Sequence, residues 1–89
     1  MKIDILGIQA FIAIVEQGSF QKAAGTLFIS QAALSKRLRH FEDSLGLILI
    51  ERNTRSWRLT PAGKSFLPRA QRFLAEVDSA IGDLQAESQ

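Results

Sequence analysis

Between residues 30 and 39 the sequence places Ser30, Gln31, Ala32, Ser35, Lys36 and Arg39 at spacings of one, three and four residues. On a helix turning 100° per residue, Ala32, Lys36 and Arg39 share one face, with Gln31 and Ser35 flanking them toward the N-terminal end. These residue types suit the edges of base pairs. Gln31 can form a bidentate pair with adenine, Ser35 can bond either kind of base, Lys36 can donate to guanine, and Ala32 can touch a thymine methyl. Arg39, one turn farther along, suits a phosphate, as does Ser30 beside the free backbone N–H groups of a helix start. A second basic set follows at Arg52, Arg55 and Arg58. Arg55 suits a narrow minor groove, where the potential is most negative, and Arg52 and Arg58 suit the sugar-phosphate backbone. Each residue also has a blander use, as part of a solvated polar face or, for Arg52, in an ion pair with a carboxylate.

Charge along the chain favours a polyanion partner. The net charge of +2 is the balance of −1 over residues 1–21, +7 over residues 22–72 and −4 over residues 73–89. A basic middle segment is what counterion release from phosphates rewards. Other chemistry is poorly supplied. The 89 residues contain no Cys and a single His, His40, so disulfides, thiolate sites, a His-based zinc site and a Ser-His-Asp triad cannot be assembled within this chain. No enzymatic activity and no cofactor or metal are expected of it. No apolar run approaches the roughly 20 residues needed to cross a bilayer, and Met1-Lys2-Ile3-Asp4 does not read as a signal peptide. The reading is a soluble, cytoplasmic, nucleoid-associated protein with no membrane partner.

The elements that position these groups follow from apolar periodicity. Ile8, Phe11, Ile12 and Val15 form the stripe of a first helix over residues 5–17, with Asp4 as N-cap and Gly18 as its left-handed close. Ser19 caps a short second helix, in which Phe20, Ala23, Ala24 and Leu27 repeat the spacing and the two alanines admit a crossing helix. Phe28 and Ile29 make a turn. Ser30 then caps a third helix over residues 31–45, stopped by Gly46, with Leu34, Leu38, Phe41 and Leu45 beneath and the polar, basic face outside.

A hairpin follows, with residues 47–52 as one strand, Asn53-Thr54-Arg55-Ser56 as the turn and Trp57-Arg58-Leu59 as the return. Trp57 and Leu59 share one face and Arg58 the other. Thr60-Pro61 restarts a helix that runs to the end of the chain. Its rows Phe66, Phe73, Ala80; Leu67, Leu74, Ile81; and Ala70, Val77, Leu84 repeat at seven residues. That face is broader than one small domain needs: part of it is expected to pack on the first three helices, and Phe66, Ala70, Phe73, Leu74, Val77, Ile81 and Leu84 are the candidates for pairing with a second copy. Pro68 is expected to kink this helix or divide it.

A short helix, a tight turn and a third helix with a polar, basic outer face form a helix-turn-helix, and the hairpin makes it winged. The expected fold is mainly α: three helices and a two-stranded wing over residues 1–60 as a DNA-binding domain, then a long linker and dimerisation helix over 61–89. Gly18-Ser19-Phe20, Ala23-Ala24, Leu27 and Ile29-Ser30-Gln31-Ala32-Ala33-Leu34-Ser35-Lys36 closely resemble the amino-terminal DNA-binding domain of LysR-type transcriptional regulators. The resemblance continues through Phe41-Glu42, Leu45-Gly46-Leu47, Leu49-Ile50-Glu51-Arg52 and Leu59-Thr60-Pro61-Ala62-Gly63, covering roughly residues 4–84. Ala32 stands where that family most often has Pro, Ile50 where Phe is common, and Ile48 where a polar or basic residue is frequent.

The resemblance implies a bacterial activator or repressor that binds an interrupted palindrome in double-stranded DNA as a homodimer. It also implies a tetramer at full length, RNA polymerase as a candidate further partner, and a small-molecule effector bound by a domain of two α/β lobes that this chain does not contain. The chain is therefore expected to be a fragment of a longer regulator. Two rival readings remain open at this point. One is a basic winged helix that binds DNA by shape alone, and the other is a protein-interaction module whose basic face meets an acidic partner.

Overall fold

The computed structural model describes residues 2–88. The elements run α1 (Ile5–Gln17), α2 (Phe20–Thr26), α3 (Gln31–Leu45), β1 (Ile50–Arg52), β2 (Trp57–Leu59) and α4 (Pro61–Glu87). Each helix starts on a side chain that satisfies an otherwise unpaired backbone N–H. Asp4 accepts from Gly7 at 2.8 Å, Ser19 from Lys22 at 2.9 Å, Ser30 from Ala33 at 3.1 Å and Thr60 from Gly63 at 3.0 Å. Gly18 (φ +79°) and Gly46 (φ +71°) close α1 and α3 in the left-handed region that glycine adopts without a Cβ penalty.

The first three helices pack on one another around Phe11, Ile14 and Leu34, which are fully buried together with Leu49 from the segment before β1. Buried Ala23 and Ala24 let α2 approach closely. At Gly7 a Cβ would lie 2.5 Å from the Phe41 Cβ, so that contact between α1 and α3 admits no larger residue. The opening turns of α4 complete the same core. Phe66 sets its ring 5.7 Å from Phe11 and 5.9 Å from Phe41, and Ala70 is buried.

The hairpin is antiparallel, with Ile50 opposite Leu59, Glu51 opposite Arg58 and Arg52 opposite Trp57. Its first strand begins at Ile50 and not, as the β-favouring residues suggest, at Leu47. The backbone of residues 47–50 is committed to the end of α3. Leu47 N–H bonds the Glu42 carbonyl at 3.2 Å, and the Leu49 and Ile50 N–H groups bond the Glu42 carboxylate at 2.7 and 3.1 Å. Leu45, expected beneath α3, is exposed. Of the kink or division expected at Pro68, division does not occur: α4 is one continuous helix of 27 residues. One backbone bond is forfeited there, while the packing of Phe66 and Ala70 on either side holds the helix to the core.

From Ala75 to Ser88 every residue is exposed. The molecule is accordingly 49 Å long but only 27 and 20 Å across.

Candidate nucleic-acid interface

Helix α3 carries an outer face unlike its underside. Gln31, Ala32, Lys36 and Arg39 are exposed and Ser35 is half-buried, while Leu34, Leu38 and Phe41 are buried in the core. Ala32, Ser35, Lys36 and Arg39 line one shallow depression together with His40 and Asp43. Four of the six residues anticipated on this helix therefore meet at one surface. Asp43 places an acid at its C-terminal edge, which makes the N-terminal half the anion-attracting part. Ser30 and Gln31 stand at that end. The Ser30 hydroxyl is already an acceptor for Ala33 N–H, which makes Ser30 first of all a cap.

The turn into α3, placed by sequence at Phe28 and Ile29, holds a backbone conformation that the sequence does not announce. Phe28 adopts φ +59°, the only non-glycine residue at positive φ among those described, and its side chain is 93% exposed. A positive φ leaves no mark on periodicity, and Phe carries none of the signals that Gly or Asn would give at such a position.

The three wing arginines take three different positions. Arg55 is exposed at the hairpin tip, where the Asn53 Oδ1 accepts the Arg55 and Ser56 N–H groups at 2.8 and 2.9 Å and fixes the turn. Arg58 forks onto Glu51 across the ladder, with Nη2 and Nε 3.1 and 3.3 Å from the same carboxylate oxygen. The carboxylate pairing considered for Arg52 thus falls to Arg58. Arg52 instead reaches α3: its Nη1 donates to the Ser35 Oγ at 2.7 Å and its guanidinium carbon lies 4.0 Å from the centre of the Phe20 ring. The wing is tied to the body a second time, where Trp57 Nε1 donates to the Gly18 carbonyl at 3.3 Å.

Glu42 is the residue that sets the wing against α3. Only 7% exposed, it lies next to Phe41 and four residues past Leu38 on the buried side of the helix. Its carboxylate accepts two backbone N–H groups from the approach to β1, a use suited to a buried anion. An acid on an apolar stripe is a signal the sequence does contain. What it serves is visible only in the fold.

The seven apolar residues anticipated at a pairing surface divide along α4. Ala70 is 2% exposed, and half-buried Phe66 packs its ring near those of Phe11 and Phe41. Phe73 and Leu74 lie half-buried against the core, and Val77, Ile81 and Leu84 are exposed along the projecting half. The split follows from length: a 27-residue helix extends about 40 Å, well past the small body it packs on.

Among the described residues no group of three His, Asp or Glu is placed to hold a metal ion, and no helix is long and apolar enough to cross a membrane.

Comparison with known proteins agrees with this geometry. The chain is 41% identical over 78 residues to the HTH-type transcriptional activator AllS of Klebsiella pneumoniae, a match covering 88% of this chain and 29% of that protein. A crystal structure of a BenM DBD/catB site 1 DNA complex superposes with a TM-score of 0.89 at 34% identity, covering 100% of this chain and 98% of that one. A CbnR DBD–DNA complex superposes with a TM-score of 0.84 at 31% identity over the whole of both chains. The chain spans 29%, 27% and 53% of the length of three curated relatives it matches. Residues 6–64 match the family of bacterial regulatory helix-turn-helix proteins of the lysR type, and the chain belongs to that family.

Proposed function

We propose that this chain is the sequence-specific DNA-binding part of a bacterial transcriptional regulator, working as a dimer with no catalytic step. In this reading residues 1–60 read DNA and residues 61–89 join two copies. Helix α3 enters the major groove, where Gln31, Ser35 and Lys36 meet base edges, Ala32 a thymine methyl, and Ser30 and Arg39 the phosphates. Arg55 enters the minor groove from the wing tip. The observation that carries the reading is the outer face of α3: exposed Gln31, Ala32, Lys36 and Arg39, with half-buried Ser35, on a helix whose other side puts Leu34, Leu38 and Phe41 in the core. The DNA complexes formed by its structural neighbours support it.

Pairing through exposed Val77, Ile81 and Leu84, continued by half-buried Phe73 and Leu74, gives a two-fold assembly. Its recognition helices then meet grooves about 34–36 Å apart or a multiple of that, and the site is an interrupted palindrome. At full length the regulator is a cytoplasmic, nucleoid-associated tetramer that engages RNA polymerase, with a small-molecule effector bound by a domain outside this chain.

Selection from random-sequence duplex DNA at about 150 mM salt tests this reading, because non-specific binding weakens steeply with salt whereas base readout persists. The expected result is an enriched two-fold symmetric motif with fixed spacing. Retention without a motif would leave shape-only binding, and no retention would point to a protein partner.

A further inference from the structure

The contact between Arg52 and Ser35 assigns a direction to one of the proposed base-reading groups. A serine hydroxyl offers one proton and two lone pairs. Here Arg52 Nη1 donates to the Ser35 Oγ at 2.7 Å, a charge-assisted bond that occupies a lone pair and polarises the O–H. The guanidinium is itself held in place, its carbon 4.0 Å from the centre of the Phe20 ring, at the first turn of α2. Phe20 is buried and Arg52 closes β1, so the clasp joins α2, α3 and the wing at one point. With a cationic donor beside it, the oxygen is poorly placed to accept a second hydrogen bond from a DNA amino group. Its proton is left for an acceptor.

We infer that Arg52 is a positioning residue that fixes Ser35 as a hydrogen-bond donor, so that the base under Ser35 is selected for an acceptor. Guanine N7 or O6, adenine N7 and thymine O4 satisfy it in the major groove, and the amino groups of cytosine and adenine do not. The inference rests on α3 being the recognition helix, and it takes Arg52 away from the phosphate contact its position in the sequence suggests. Arg52 acts through Ser35.

The test is the random-duplex selection carried out on the intact chain with wild type, Ser35→Ala, Arg52→Lys and the double variant. Ser35→Ala is expected to flatten the preference at one base pair of each half-site by roughly fivefold, the worth of one net hydrogen bond. Arg52→Lys keeps the charge but not the planar fork or the stacking. It is expected to flatten that same position and leave the others intact, and the double variant is expected to lose no more than Ser35→Ala does. Phe20→Leu, which removes the ring under the guanidinium while keeping an apolar core residue, provides a second route to the same loss should Arg52→Lys not fold.

A preference under Ser35 for cytosine, whose major-groove edge offers only an amino donor, would overturn the inference. So would an Arg52→Lys or Phe20→Leu protein that keeps the preference and merely binds all sequences more weakly, since Arg52 would then be a phosphate contact. In both cases the recognition reading survives. A wild-type selection with no motif would remove that reading and this inference together.

Discussion

Two glycines in α4 look alike in sequence and should respond to alanine in opposite directions. At Gly63 an added Cβ would lie 2.2 Å from the Leu49 carbonyl oxygen and 3.1 Å from both the Leu49 carbonyl carbon and Leu59 Cδ2. A carbon and an oxygen need about 1 Å more than that first distance, so either the carbonyl retreats or the first turn of α4 lifts. The carbonyl is not free to retreat. It accepts the Thr60 N–H at 3.0 Å and lies 3.2 Å from the Thr60 Oγ1, and the Leu49 N–H is anchored by Glu42 at 2.7 Å. Overpacking of this kind costs about 1–3 kcal/mol and a weakened hydrogen bond about 1 more, against a gain of about 1 kcal/mol in helix propensity. The net expectation for Gly63→Ala is a loss of about 2 kcal/mol, or about 10 °C in Tm for a domain of this size.

Gly82 has nothing within 4 Å of the same position. Only the propensity term acts there, so Gly82→Ala should gain up to about 1 kcal/mol. Thermal and urea unfolding followed by circular dichroism, at one protein concentration so that self-association does not confound the comparison, measure both. A Gly63→Ala protein melting at or above wild type would refute the close approach of α4 to the segment before β1.

Three further outcomes are expected. Phe28→Gly should raise the urea midpoint by the equivalent of about 1 kcal/mol, since it relieves a left-handed backbone at a side chain that is 93% exposed. Glu42→Ala should lower stability by about 2–4 kcal/mol in the same assay, because the Leu49 and Ile50 N–H groups lose their buried acceptor. Val77→Glu with Ile81→Glu should convert a dimer to a monomer in sedimentation while leaving the helical signal unchanged, since both residues are exposed within one chain and carboxylates are costly only where a partner would bury them. A variant that still sediments as a dimer would place the pairing surface elsewhere.

Local chemistry made most of the architecture legible. Asp4, Ser19, Ser30 and Thr60 cap helices through their own side chains, Gly18 and Gly46 end them, and a period of 3.6 residues marks the faces that go inside. All of this acts within a few residues, and so the order of helix, helix, helix, hairpin and long helix, with the polar outer face of α3, could be read directly. The strand boundary at Ile50, the partners of Arg52 and Arg58 and the point at which the α4 apolar face divides could not. Each depends on groups distant in sequence: Glu42 claims the backbone before β1, Ser35 and Phe20 claim Arg52, Glu51 claims Arg58, and Phe11 and Phe41 claim Phe66. Periodicity shows that a side chain is apolar or charged on a given face. Which of several suitable partners it meets is settled when the elements pack, because hydrogen bonds and ring contacts form only at the distances the packed fold allows.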